Sequence, residues 1–142
     1  MICTGSPSRK NFKNILKYYN LKEEDIDVVG ATFSEKDKMI SEMQVQEEVA
    51  KHKYVLSFFT MPIAWYRRRL FYSAWQGSLL LMGEPEVNAF PACYKLDASI
   101  FKKSTEEQLA VVKQQADFVA SIERTYDQNL REFMKMMNFM KK

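Results

Sequence analysis

The chain has 142 residues, 46% of them apolar and 27% charged, with a net charge of +3. That length suits one domain with a real core, and the mild charge excludes a compulsory nucleic-acid partner, which needs a concentrated basic face. Four glycines and four prolines are too few for a barrel or sandwich of many tight turns, so composition favours an all-α fold.

Residues 1–33 read as a basic N-terminal helix followed by a linker. Ser8 is placed to cap a helix over Arg9–Tyr19. Phe12, Ile15, Leu16 and Tyr19 give it an apolar face, while Arg9, Lys10, Lys13, Lys17 and Lys22 make residues 1–22 basic without a single acid. Organelle transit peptides share that pattern, although they use more Arg than Lys. Asn20 reads as the cap of a further turn over Leu21–Asp25, and Asp27–Phe33 as a linker, because Val28, Val29 and Gly30 break the helical period.

Residues 34–83 read as a helix pair broken at Pro62. Ser34 opens the first member, with Glu35 and Asp37 in its first turn. Val45, Val49, His52, Leu56 and Phe59 continue it in steps of three and four. A buried strand over Tyr54–Thr60 competes with that reading, but it contains one β-branched aliphatic residue, Val55. The second member runs to Met82, stopped by Gly83, and is apolar nearly all round, as a central helix is. A hairpin turning at Gln76-Gly77 is the alternative. Tyr54–Tyr66 and Leu70–Gly83 are uncharged, yet each is shorter than the ~20 residues of a membrane-spanning helix, so none is expected.

Residues 84–104 form a loop with Pro85 and Pro91, and Asp97 caps a short turn within it. Residues 105–142 form a long C-terminal helix. From Thr105 to Met140 there is neither Gly nor Pro, and Leu109, Val112, Ala116, Val119, Tyr126, Leu130, Phe133, Met137 and Met140 fall on one seam, which Glu123 interrupts. Such a helix spans about 54 Å. Val111 and Phe118 widen its stripe, which favours packing within this chain's own bundle over a narrow dimer seam. The expected fold is therefore a small helical bundle of three long and one or two short helices, with the C-terminal helix as spine. Glu123 on that spine would fix register or pair with an arginine of the third helix.

Material for catalysis is scarce. His52 is the one histidine, and Cys3 and Cys93 are the two cysteines, too few for a disulfide framework or a metal cluster. A Cys93–His52 pair would need the fold to unite them. No glycine-rich phosphate loop occurs. The chain is read as non-enzymatic, without metal or cofactor, and as intracellular, in the cytoplasm or an organelle interior.

Two clusters carry the functional expectations. Trp65, Tyr66, Arg67, Arg68, Arg69 and Tyr72 combine guanidinium groups with aromatic rings, which suits phosphates or nucleic-acid bases. Three consecutive helical residues fan over about 200°, so the three arginines cannot share one phosphate. Phe133, Met134, Met137, Phe139, Met140 and Lys141 make an adaptable apolar end with basic flanks. The leading reading is a helical protein–protein interaction module, an accessory subunit or regulatory adaptor, with a protein partner or a homo-oligomer. The alternatives are a binder of nucleic acid or a phosphorylated ligand, and a peripheral protein of anionic membrane surfaces.

Overall fold

The computed structural model describes residues 1–4, 9–29, 41–57, 66–83 and 90–141. It corrects the expected all-α bundle. Four strands form a parallel sheet: β1 (Ile2–Thr4), β2 (Asp27–Val29), β3 (Tyr54–Ser57) and β4 (Leu79–Met82). Their order is β2-β1-β3-β4, and every neighbouring pair is parallel. The helices described are α1 (Arg9–Tyr19), α2 (Glu42–Ala50), α3 (Tyr66–Trp75) and α4 (Thr105–Met140). The fold class is α/β.

The apolar runs that suggested helices are two-sided strands. In β4 all four residues are buried, because a parallel strand inside an α/β domain is covered on both faces and loses polar alternation. Leu79 and Leu81 join Cys3 and Leu56 in a core with Phe12, Ile15, Leu16 and Tyr19 of α1. Leu80 and Met82 join Ile2 and Val55 on the opposite face, with Val49 of α2 and Leu70 of α3. The chain thus winds outward from β1 in one direction along α1 and returns past it in the other along α2 and α3, as right-handed crossovers require.

Helix stops set these boundaries: α1 has its expected bounds, Arg9–Tyr19, whereas the expected helix through Met82 was too long. Gly77 adopts a left-handed φ of 68°. Its N–H donates to Ala74 O at 3.2 Å and that of Ser78 to Ser73 O at 2.8 Å, the paired bonds of a Schellman stop. This ends α3 at Trp75 and frees Leu79 to enter the sheet, six residues before the Gly83 stop expected. Asn20, at φ 54°, ends α1 in the same way, with Leu21 N–H donating to Leu16 O at 2.8 Å. It is therefore a helix stop and not the cap of a new turn; the turn that follows is Glu23–Asp25.

Helix α2 begins at Ser41, whose Oγ accepts from Gln44 N–H at 3.2 Å while its own N–H donates to Gln44 Oε1 at 2.8 Å. It ends at Ala50, so the helical stripe expected through Leu56 crosses into β3. The Ser34 start and the Pro62 break lie outside the described residues. Ser104 and Glu107 build an equivalent box at the start of α4.

Helix α4 is present at its expected length of 36 residues, but it is not the spine of a bundle. Its first half lies along the outer edge of β4. Val111 and Val112 reach the α1 side of the core, and Phe118 and Val119 the other. Gln108 and Gln115 are buried, whereas Leu109, the first member of the expected seam, is exposed. No described helix is long and apolar enough to cross a membrane.

Candidate functional site

The two halves of α4 differ. Up to Ile122 the helix presents a buried or half-buried face to the domain; from Glu123 to Lys141 every residue is exposed. This second half carries Tyr126, Leu130, Phe133, Met134, Met136, Met137, Phe139 and Met140, all large, apolar and open to solvent. Tyr126, Leu130, Phe133, Met137 and Met140 follow a helical stripe, while Met134, Met136 and Phe139 lie off it. Its charges are mixed. Arg131 pairs with Asp127 at 3.3 Å and Lys135 with Glu132 at 3.1 Å, both in the open. Such exposed pairs contribute little stability, about 0.3–0.5 kcal/mol each.

At the root of this arm α3 meets α4. Phe71 and Trp75 stack with centroids 5.5 Å apart and planes within 9°. The Trp75 indole N–H donates to Glu123 Oε1 at 3.1 Å. Glu123 is thus tied to the third helix through the Trp75 indole; of the arginines expected to reach it, Arg67 and Arg68 have side chains outside the described residues. Between the two helices lies an open groove of about 730 Å³, with Phe71, Trp75, Ile122, Glu123, Tyr126 and Asp127 among its lining residues. Two carboxylates and three aromatic rings therefore share one concave surface.

The expected partner-binding residues Phe133, Met134, Met137, Phe139, Met140 and Lys141 all lie exposed on the arm. The Arg/aromatic cluster is less unified. Tyr72 is buried and packs against Trp75, with ring centroids 6.3 Å apart, so its ring is a core group and not an open stacking platform. Arg69 is half-buried on α3. Trp65 and the side chains of Tyr66, Arg67 and Arg68 lie outside the described residues.

The nucleophile candidates are quiet. Both cysteines are free. Burial pushes the Cys3 thiol far up, against a smaller opposing pull from Arg69, and burial likewise raises that of Cys93. Both stay protonated at neutral pH, which disfavours attack. His52 bridges elements: one ring nitrogen lies 2.7 Å from Asp27 Oδ2 on β2 and the other 2.8 Å from Glu48 O on α2. It ties the edge strand to a helix.

Sequence reasoning missed two places. One is the reversal of winding between β1 and β3, invisible without strand order. At the carboxyl end of β3, Ser57 is 1% exposed and its hydroxyl has no hydrogen-bond partner among the described residues. The other is the pair Gln108 and Gln115, seven residues apart on one face of α4, which fasten the helix to the sheet. That spacing is a legible signal in the sequence, because residues seven apart share one face of a helix.

Compared with protein-family models, curated proteins and solved structures, the chain gives no match.

Proposed function

We propose that this chain is a non-enzymatic protein-association module: a small α/β domain carrying a helical arm that docks onto protein. One observation carries the reading, the eight large apolar side chains left open along the second half of α4. From Glu123 on every residue of the helix is exposed, so its apolar stripe contributes little until something covers it. Docking would supply the missing face, with roughly 1–2 kcal/mol from each large side chain that becomes covered. The mixed charges of Glu123, Arg124, Asp127, Arg131, Glu132 and Lys135 favour a protein surface over an anionic membrane, which selects for uniformly basic helices. Native purification from the source cells tests it. The wild-type chain is expected in a stoichiometric complex, and a Leu130→Glu/Phe133→Glu/Met137→Glu chain as a folded monomer. A strictly monomeric wild-type chain overturns the reading.

A second reading, binding of a phosphorylated ligand, is favoured by a separate observation. In open α/β sheets ligands settle beyond the carboxyl ends of strands where the winding reverses. Here that point lies between β1 and β3, where the buried Ser57 hydroxyl lacks a partner among the described residues. Such a hydroxyl would donate to a phosphate or a ring carbonyl. Calorimetric titration with flavin mononucleotide, AMP and inorganic phosphate tests it. Saturable binding that Ser57→Ala weakens supports the reading, and no heat at millimolar ligand removes it.

A further inference from the structure

The arm is chemically different at its two ends. Its root offers Glu123 and Asp127 beside the Phe71–Trp75 stack and Tyr126, over a groove. Its tip offers Lys141 among the exposed Met137, Phe139 and Met140. Root and tip are separated by 18 residues, about 27 Å of helix. An acidic, aromatic recess and a basic, methionine-rich end on the same arm complement each other, yet a straight helix cannot bring them together within one molecule.

We infer that the partner of the arm is a second copy of this chain, paired antiparallel through residues 123–141 about a two-fold axis near Glu132. This rests on the association reading above and names its partner. A two-fold axis makes each contact occur twice. With the axis there, Glu123 of one copy lies level with Lys141 of the other on the same helix face, 18 residues being five full turns, and each root groove receives the other copy's Met140. Leu130, Phe133, Met134 and Met137 meet across the middle. Parallel pairing would instead set Glu123 against Glu123 and Lys141 against Lys141, repulsive at both ends. Glu132, level with its own copy at the axis, stands nine residues and so half a turn from Glu123, which turns it away from the partner helix.

Charge swapping on the purified full-length chain tests this, read by sedimentation velocity across a concentration series. The wild-type chain is expected to run at twice the monomer mass at micromolar concentration. Glu123→Lys alone, or Lys141→Glu alone, turns both symmetric contacts repulsive and weakens dimerisation about tenfold. Combining the two in one chain restores attraction and returns the affinity to within about threefold of wild type, which also excludes loss of the Trp75–Glu123 bond as the cause. Circular dichroism confirms that each variant is folded. Single substitutions without effect overturn the antiparallel pairing, since in a parallel dimer each position meets its own copy. A wild-type chain that stays monomeric overturns the second copy as partner. If the Leu130→Glu/Phe133→Glu/Met137→Glu chain then still loses a complex in cells, the association reading survives; if no complex exists there either, both fall.

Discussion

The carboxamide of Gln115 meets Leu80 as a neighbouring strand would. Leu80 N–H donates to Gln115 Oε1 at 3.0 Å, and Gln115 Nε2 donates back to Leu80 O at 3.0 Å and to Cys93 O at 3.1 Å. The inner side of β4 is engaged with β3, so the outward groups of Leu80 would otherwise be an open sheet edge. One side chain from α4 closes that edge, and the helix above it hides the pair from water.

Replacing Gln115 therefore reaches past one side chain. Gln115→Leu keeps the size but strands the N–H and C=O of Leu80 in a buried site. Each unsatisfied group costs about 1–3 kcal/mol, so a loss of about 3 kcal/mol or more in urea unfolding is expected. Gln115→Glu should be worse at pH 7, because a buried carboxylate offers no donor to Leu80 O or Cys93 O, and should recover partly as acid protonates it. A change below about 1 kcal/mol for Gln115→Leu would mean that the edge is satisfied some other way.

Gly77 tests the stop between α3 and β4. Nothing lies within 4 Å of a Cβ built there, but its φ is +68°. Gly77→Ala is therefore free of clashes and still strained, with an expected loss of about 1 kcal/mol. Thermal unfolding measures it. An unchanged midpoint would show that the backbone relaxes out of the left-handed region.

The helices were legible where local chemistry decides them. Phe12, Ile15, Leu16 and Tyr19 sit at helical spacing, and Ser104 with Glu107 marks a helix start through a reciprocal hydrogen-bond pair. The sheet was not, and the reason is physical. Leu79–Met82 is apolar throughout because both faces are covered, so neither a period of 2 nor one of 3.6 shows. Ile2–Thr4 and Asp27–Val29 are three residues each, too short to carry a pattern, and they exist as strands only because partners lie on their flanks. Their Ile, Thr and Val residues favour a strand, but long-range pairing is what makes three such residues into one. The exposed end of α4 was visible as an excess of Met and Phe beyond one seam. Which half of the helix the domain would use was not, because Leu109 faces solvent while Gln108 and Gln115 turn inward for hydrogen bonds.

Ser57 predicts a gain. Its hydroxyl is buried without a partner among the described residues, a situation that costs about 1–3 kcal/mol. Ser57→Ala removes the polar atom and leaves the β3 backbone unchanged, so the ligand-free protein should become more stable by about 1 kcal/mol. Thermal unfolding in phosphate-free buffer checks the sign. A clear loss would mean that the hydroxyl is engaged in solution.

The start of α4 carries a built-in acid sensitivity. The Ser104 N–H bonded to the Glu107 carboxylate, helped by the Ser104 side chain, holds Glu107 below the usual carboxylate range, against a smaller effect of burial. A folded-state pKa lower than the unfolded one means that the unfolded chain binds the proton first on acidification. The stabilisation is therefore complete above the unfolded value, about 4.3, and is lost as pH falls through the lower folded value. Glu107→Gln separates the hydrogen bond from the charge, because the amide still accepts from Ser104 N–H but does not titrate. Stability measured by urea unfolding between pH 3 and 7 should fall less steeply toward acid in this variant than in the wild-type chain, with a modest deficit at pH 7 from the lost interaction of the charge with the helix N-terminus. Parallel pH profiles for the two chains would show that the Ser104–Glu107 bond does not favour the ionised carboxylate.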